Sequence, residues 1–168
     1  MENLHLLLCP LEQAWLVKHW LNTDLERSKL NVGLSTFGRT YNVAFNSIRS
    51  LNSPLIGYGI NNGTIAYGEV CRFLLRNETT YIYNENHQVP FAYNGYDLVA
   101  FENEKSLSVK SQYLSKLRVG GVMLFALNYD DAEGECDRTN DDDSRFPLHK
   151  VVFRTMQIAS LVNSRRFR

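Results

Sequence analysis

The stretch Val122-Met123-Leu124-Phe125-Ala126-Leu127 is an unbroken apolar run that follows a helical pattern and a Gly120-Gly121 pair. A short apolar run entered from a helix through a tight turn is the signature of a parallel strand covered on both faces. No other feature constrains the chain as much, because parallel strands need crossover connections and neighbours. The preceding helix is expected over 104–117, with Leu107, Leu114 and Leu117 on one stripe and Lys105, Lys110 and Lys116 on the wet side. The acidic segment Asp130–Asp143 reads as a solvated loop; with no EF-hand spacing, calcium is a weak second reading. Pro147 opens a last helix with Leu148, Val152, Met156 and Ala159 on its inner face. The basic tail Arg165-Arg166-Phe167-Arg168 suits that helix's negative end.

Upstream, residues 10–21 read as a helix opened by Pro10, with Leu11, Ala14, Val17 and Leu21 on one face. Leu30-Asn31-Val32-Gly33-Leu34 reads as a short strand running to Phe37-Gly38-Arg39. From Tyr41 to Tyr96 the character changes. Tyr41–Phe45 alternates, and Asn, Ser and Gly accumulate through Gly63 as in exposed turns. Thr64 is placed to cap a helix over 65–75, and strands are expected at 79–84, 88–93 and 96–101. Asn94-Gly95 between the last two is a strong hairpin signal.

The order helix, strand, insertion, helix, strand, helix is a piece of an α/β fold. Setting the insertion aside leaves about 110 residues, two strand–helix units against the eight of a ~250-residue barrel. Two parallel strands cannot make a sheet that covers both faces, so this architecture reads as incomplete by itself. Lys plus Arg and Asp plus Glu each total 18, so the formal charge is zero and neither nucleic acid nor a polybasic membrane contact is expected. No apolar run approaches the ~20 residues that span a bilayer. The opening Met1–Pro10 lacks a positive region and carries Glu2 and His5, so it is a weak match to a signal peptide. Cys9, Cys71 and Cys136 leave room for one bridge and an odd thiol. Without Cys-x-x-Cys, and with His5, His19, His87 and His149 dispersed, no metal and no cofactor is expected.

Four ordered stretches resemble glycoside hydrolase family 18, the chitinases and chitinase-like lectins. They are Val32-Gly33-Leu34-Ser35-Thr36-Phe37-Gly38-Arg39-Thr40-Tyr41, then Ala66-Tyr67-Gly68-Glu69-Val70-Cys71. The third is Val89-Pro90-Phe91-Ala92-Tyr93 leading on to Leu98-Val99-Ala100-Phe101-Glu102-Asn103-Glu104-Lys105-Ser106. The fourth is Gly120 through Asp131, with Cys136 and Phe146-Pro147-Leu148 beyond. The resemblance covers roughly residues 14–155. It implies an α/β fold: a partial TIM (β/α)8 barrel, its last two strands and flanking helices, with an inserted small α+β domain. Residues 1–40 and 97–168 then belong to the C-terminal part of the barrel and 41–96 to the insertion. About six strands of the family barrel are expected to be absent.

The same resemblance organises the chemistry. Family activity rests on Asp-x-x-Asp-x-Asp-x-Glu, whose Glu is the general acid and whose neighbouring Asp orients the substrate's own N-acetyl group as nucleophile; this departs from the two-carboxylate scheme. That spacing does not occur in these 168 residues, so no catalytic residue is assigned. The resemblance implies ligand-binding roles for Phe37, Arg39, Glu69 and Phe125. The first and last depart from the family, which usually has Tyr and Trp there, and Asn128 replaces a usual Asp. Phe125 inside an apolar run also reads as core filling, Arg39 as half of an internal ion pair, and Glu69 as a solvated helix residue. Cys71 and Cys136 sit where many members carry a disulfide. Asn62-Gly63-Thr64 and Asn77-Glu78-Thr79 are glycosylation sequons that matter if the chain is secreted. The expectation is a chitinase-like chain, inactive alone, with weak binding to chitin or N-acetylglucosamine oligosaccharides and an extracellular location by family resemblance. The alternatives are an incomplete gene product of an active secreted chitinase, and a subunit completed by another chain through exposed barrel edges.

Overall fold

A computed structural model describes residues 10–45, 50, 53–137 and 144–165. The apolar opening before Pro10, Cys9, Asp141–Asp143 and the tail beyond Arg165 lie outside the described residues. Helix α1 (Pro10–Leu21) leads into strand β1 (Asn31–Ser35), which pairs in parallel with β8 (Gly121–Phe125) in the register Val32↔Val122, Leu34↔Leu124, Ser35↔Phe125. Between them lies an antiparallel sheet in the order β3 (Leu55–Tyr58), β2 (Gly38–Val43), β7 (Asp97–Ala100), β6 (Val89–Asn94), β5 (Thr80–Asn84), with β4 (Thr64–Ile65) also on β2. Helix α2 (Tyr67–Leu74) sits within this unit. Helix α3 (Glu104–Leu117) returns the chain to β8, and α4 (Pro147–Arg165) packs on α3.

Period-two alternation gives the antiparallel sheet two apolar faces. Val89, Phe91 and Tyr93 join Tyr41, Val43, Leu98 and Ala100 on one face. Ala92 and Val99 turn to the other, where they meet Val70 and Phe73 of α2, Leu107 and Leu114 of α3, and Leu148 and Val152 of α4. Leu34, Val32, Val122 and Leu124 of the parallel pair feed this second core.

Several expectations change in detail. Thr64 is a strand residue: α2 starts at Tyr67, and Ala66 is its N-cap because the Ala66 N–H donates to the Glu69 carboxylate at 2.9 Å. The β6–β7 hairpin pairs Asn94 with Asp97, so its loop is Gly95-Tyr96, with Gly95 at φ +58° as a II′ turn requires of its first loop position. Helix α3 stops at Leu117 with Arg118 left-handed at φ 56°, before the glycine pair is reached. Its start is capped reciprocally, the Asn103 side chain accepting from the Ser106 N–H and the Ser106 hydroxyl from the Asn103 N–H. Lys110 is not on the wet side. It is buried and ion-paired with buried Glu102, which also accepts from the Ser106 hydroxyl at 2.6 Å. The stripe that looked charged in sequence thus carries an internal pair.

The apolar run does form a parallel strand, but one face of it is uncovered among the described residues. Val122 and Leu124 pack inward, whereas Met123 is 54% and Phe125 57% exposed. The acidic loop is also corrected. Asp130 and Asp131 are buried, because each carboxylate replaces water with backbone donors. Asp130 accepts from the N–H groups of Leu148 and His149 at the start of α4 and lies 2.7 Å from the His149 ring. Asp131 accepts from the N–H groups of Glu135 and Cys136.

Candidate functional site

Parallel strands present their C-terminal ends on the same side, and loops leaving those ends are where α/β folds build sites. Here β1 and β8 end together at Ser35 and Phe125. The ladder runs one step further, the Thr36 N–H donating to the Phe125 carbonyl at 3.0 Å and the Thr36 hydroxyl to the Ala126 carbonyl at 2.6 Å. The Phe125–Ala126 peptide is cis. The Ser35 hydroxyl accepts from the Phe37 N–H and donates to the Phe37 carbonyl, which fixes the corner between β1 and β2. Gly38 completes that corner: a Cβ there would come within 2.8 Å of Ile65 and 3.1 Å of the Ala100 carbonyl oxygen.

The corner brings three rings and one cation together. Phe37 meets Phe125 edge-to-face at 6.4 Å and Tyr129 at 5.6 Å. The Arg39 guanidinium lies 5.0 Å above the Phe37 ring, a cation–π geometry. Its Nη1 donates to the Thr64 hydroxyl at 2.9 Å, while its buried Nε has no hydrogen-bond partner among the described residues. Among the described residues no carboxylate pairs with Arg39, so the internal-pair reading is not what forms. Phe125 is not core filling either, since its ring stands on the uncovered face.

Glu69 does not join this cluster. Its carboxylate accepts from the Ala66 N–H and from the Asn61 side chain, both at 2.9 Å, and lies 3.9 Å from Arg72. It is occupied in starting α2. Cys71 and Cys136 are disulfide-bonded, Cα to Cα 5.2 Å, beside an Arg72–Glu135 ion pair. Asn62 and Asn77 are exposed, and the Thr79 hydroxyl of the second sequon donates to the Phe73 carbonyl. Tyr67, just before Glu69, packs near Glu104, Asp130 and Asp131; burial first, then those charges, pushes its hydroxyl well above the ordinary tyrosine value.

The residue that sequence reasoning passed over is Tyr129. It stands in a 3-10 turn, Leu127–Tyr129, just beyond β8, and the turn swings its ring onto Phe37. An aromatic in the short turn beyond a strand's C-terminal end was the available signal. Among the described residues no cluster of His, Cys, Asp and Glu could hold a metal ion.

The family model that matches is Glycosyl hydrolases family 18, over residues 7–130. A putative chitinase 1 from Margaritifera margaritifera is 32% identical over 134 residues, covering 79% of this chain and 27% of that protein. The oviduct-specific glycoprotein of Mesocricetus auratus is 31% identical, covering 85% of this chain and 21% of the relative. Among solved structures, the group IV chitinase of Ostrinia furnacalis in complex with allosamidin superposes with a TM-score of 0.77 at 27% identity, covering 85% of this chain and 39% of that one. Human YKL-39, described as a pseudo-chitinase with retained chitooligosaccharide binding properties, gives 0.77 at 26% identity, covering 86% and 39%. The chain therefore spans about a quarter of those relatives' length and two fifths of those structures.

Proposed function

The chain belongs to Glycosyl hydrolases family 18, and from that premise we propose that these residues form one wall of a chito-oligosaccharide cleft, binding weakly and hydrolysing nothing by themselves. The observation that carries this reading is the cluster of Phe37, Phe125 and Tyr129 under Arg39 at the ends of the parallel pair. An amino sugar offers an apolar C–H face and a rim of hydroxyl and amide groups. Exposed Phe125 suits the face, and the half-buried Arg39 guanidinium, which has donors beyond the one given to Thr64, suits an acceptor on the rim. Phe125 has no indole N–H and Phe37 no hydroxyl, so each contributes stacking without a directed hydrogen bond. One wall buries little ligand, which sets the expected affinity at about millimolar.

Glycosidic cleavage needs a carboxyl group within reach of the leaving oxygen to give it a proton. Glu69 is held by the α2 cap and Asn61, and Asp130 and Asp131 are committed to backbone donors. This supports the inactive reading. So does the likeness to a relative described as a pseudo-chitinase that retains oligosaccharide binding. The disulfide supports an oxidising, extracellular location, and the exposed sequon asparagines are accessible to glycosylation there.

Calorimetric titration with chitohexaose is expected to saturate in the millimolar range, weakening several-fold in Phe125→Ala. A chromogenic chito-oligosaccharide is expected to stay intact. Absence of heat at millimolar ligand would remove the binding role, and turnover that follows the purified chain would remove the inactive one. A second reading, completion by a further chain, is favoured by the free outer edges of β1 and β8 among the described residues and by exposed Met123. Multi-angle light scattering separates the two: a monomer at micromolar concentration leaves only the wall reading.

A further inference from the structure

The sequon Asn62-Gly63-Thr64 lies against the aromatic corner, and we propose that an N-glycan on Asn62 folds its first two sugars onto Phe37, Phe125 and Arg39, so that the glycosylated chain fills its own cleft wall. This rests on the wall reading above and adds an occupant that the chain itself carries. The placement comes from β2. Thr64 of β4 pairs with Arg39, and its hydroxyl accepts from the Arg39 guanidinium at 2.9 Å. On the other flank the Ile60 carbonyl accepts from the Thr40 hydroxyl, and the Gly59 N–H donates to the Thr40 carbonyl at 3.0 Å. Asn62 is thus two residues from a contact with Arg39 and two from a contact with Thr40. Two Cα steps of about 3.8 Å each keep its Cα within about 8 Å of the Thr64 Cα. An Asn side chain followed by two linked pyranose rings reaches further than that.

The turn is held by its neighbours and leaves Asn62 unspent. Asn61 and Asn62 are both left-handed, at φ 51° and 53°, a conformation that Asn adopts more readily than most residues. The Asn61 side chain donates to Glu69, whereas the exposed Asn62 carboxamide has no hydrogen-bond partner among the described residues. A glycan added there breaks none of the bonds that pin the turn. In the transfer the Asn62 carboxamide nitrogen bonds to the anomeric carbon of a lipid-linked oligosaccharide and loses a proton, and the lipid diphosphate leaves. The first two sugars so attached are β-1,4-linked N-acetylglucosamines, the same repeat as the ligand of the wall. Exposed Phe125 meets their C–H faces, and Arg39 has a further donor for an N-acetyl carbonyl. Asn77 supplies the contrast. It lies beyond the far end of α2, a helix about 12 Å long that starts just after β4, and its carbonyl accepts from Asn94 at the β6–β7 turn. Tethering at Asn62 gives an effective concentration of about millimolar, matched to the millimolar Kd of one wall, so the attached sugars are bound about half of the time.

The test uses the full 168-residue chain carrying Asn77→Gln in three forms, each checked by intact mass. One is bare, from a bacterial host; one is glycosylated, from a secretory host that adds high-mannose glycans; the third is the second trimmed by an endoglycosidase to a single N-acetylglucosamine. By calorimetry the glycosylated form is expected to bind chitohexaose about two- to tenfold more weakly than the bare form, with the trimmed form between them. Nuclear Overhauser contacts are expected between the N-acetyl methyls of the attached sugars and the ring protons of Phe37 or Phe125. Restoring Asn77 and its glycan is expected to change neither result. No glycan at Asn62, equal affinity across the three forms, or weaker binding without those ring contacts, which is a steric screen only, would each overturn the proposal. A bare form that gives no heat removes the wall reading and this proposal with it, whereas a bare form that binds and loses nothing on glycosylation removes this proposal alone.

Discussion

A carboxylate's role in this chain is set by which backbone groups point at it. Asp130 sits in an acidic stretch that reads as solvated, yet it is buried and satisfies the first N–H groups of α4 while holding His149. Nothing in a run of Asp and Glu marks which one folds back onto the helix start 18 and 19 residues later, because the partner is the backbone and carries no residue-specific signature. Asp130→Ala is expected to cost about 2–3 kcal/mol, a lost cap plus buried orphan donors, read as a lower urea midpoint at unchanged m. Tyrosines add a pH dependence. Burial raises the Tyr67 hydroxyl beyond the ordinary value, and burial followed by the Glu85 charge pushes Tyr83 up to about 12. A folded value above the unfolded one, about 10 for tyrosine, gives stability that is complete below pH 10 and is lost as pH rises from there toward the folded value. Unfolding free energy is therefore expected to decline above pH 10, and Tyr67→Phe to flatten that decline, with Tyr83 contributing less because it is less buried.

Elements were more legible than their edges. The helices α1, α3 and α4, the inserted strands β5, β6 and β7 and the parallel strand after the glycine pair lie within a few residues of where periodicity puts them, because burying one face fixes the pattern, whereas β3 falls in a stretch that reads as exposed turns and β4 where a helix cap is expected. Caps were not, since Ala66 becomes an N-cap through a glutamate three residues on. Coverage was not either. An apolar run says that a strand prefers burial, and Phe125 and Met123 show that a preference can go unmet on one side. Of the candidate site, the Phe37–Arg39–Phe125 neighbourhood could be read from the resemblance, whereas Tyr129 and the diversion of Glu69 depend on a turn and a cap that spacing does not encode. Helix α3 supplies the sharpest test at this scale. Lys110 faces inward only because Glu102, at the end of the preceding strand segment, is buried opposite it. Lys110→Met alone strands a buried carboxylate and is expected to cost about 3–5 kcal/mol, whereas the double change Glu102→Gln with Lys110→Met is expected to cost far less. Guanidinium unfolding of the two variants checks it, and equal losses would mean that packing rather than charge dominates.

At the scale of the molecule, the parallel pair and the antiparallel sheet share one core through α2, α3 and α4, and a single covalent link ties α2 to the segment after β8. The bridge joins residues 65 apart in sequence, so it removes the unfolded chain's freedom to separate the insertion from the last strand. Chain entropy for a loop of that length gives about 4 kcal/mol, less whatever native strain it stores. Noncovalent contacts hold the same ends together: the Arg72–Glu135 pair is partly exposed and adds little, while Asp131 accepting from the Glu135 and Cys136 N–H groups keeps the loop shape. Reduction is therefore expected to leave the native arrangement intact at low temperature while lowering the unfolding free energy by up to about 4 kcal/mol. Cys71→Ser with Cys136→Ser should match the reduced protein in Tm and in its far-ultraviolet circular dichroism at 10 °C. A double variant that loses secondary structure at that temperature would instead make the bridge a condition of folding, and α2 would then depend on it more than on the core that Val70 and Phe73 enter.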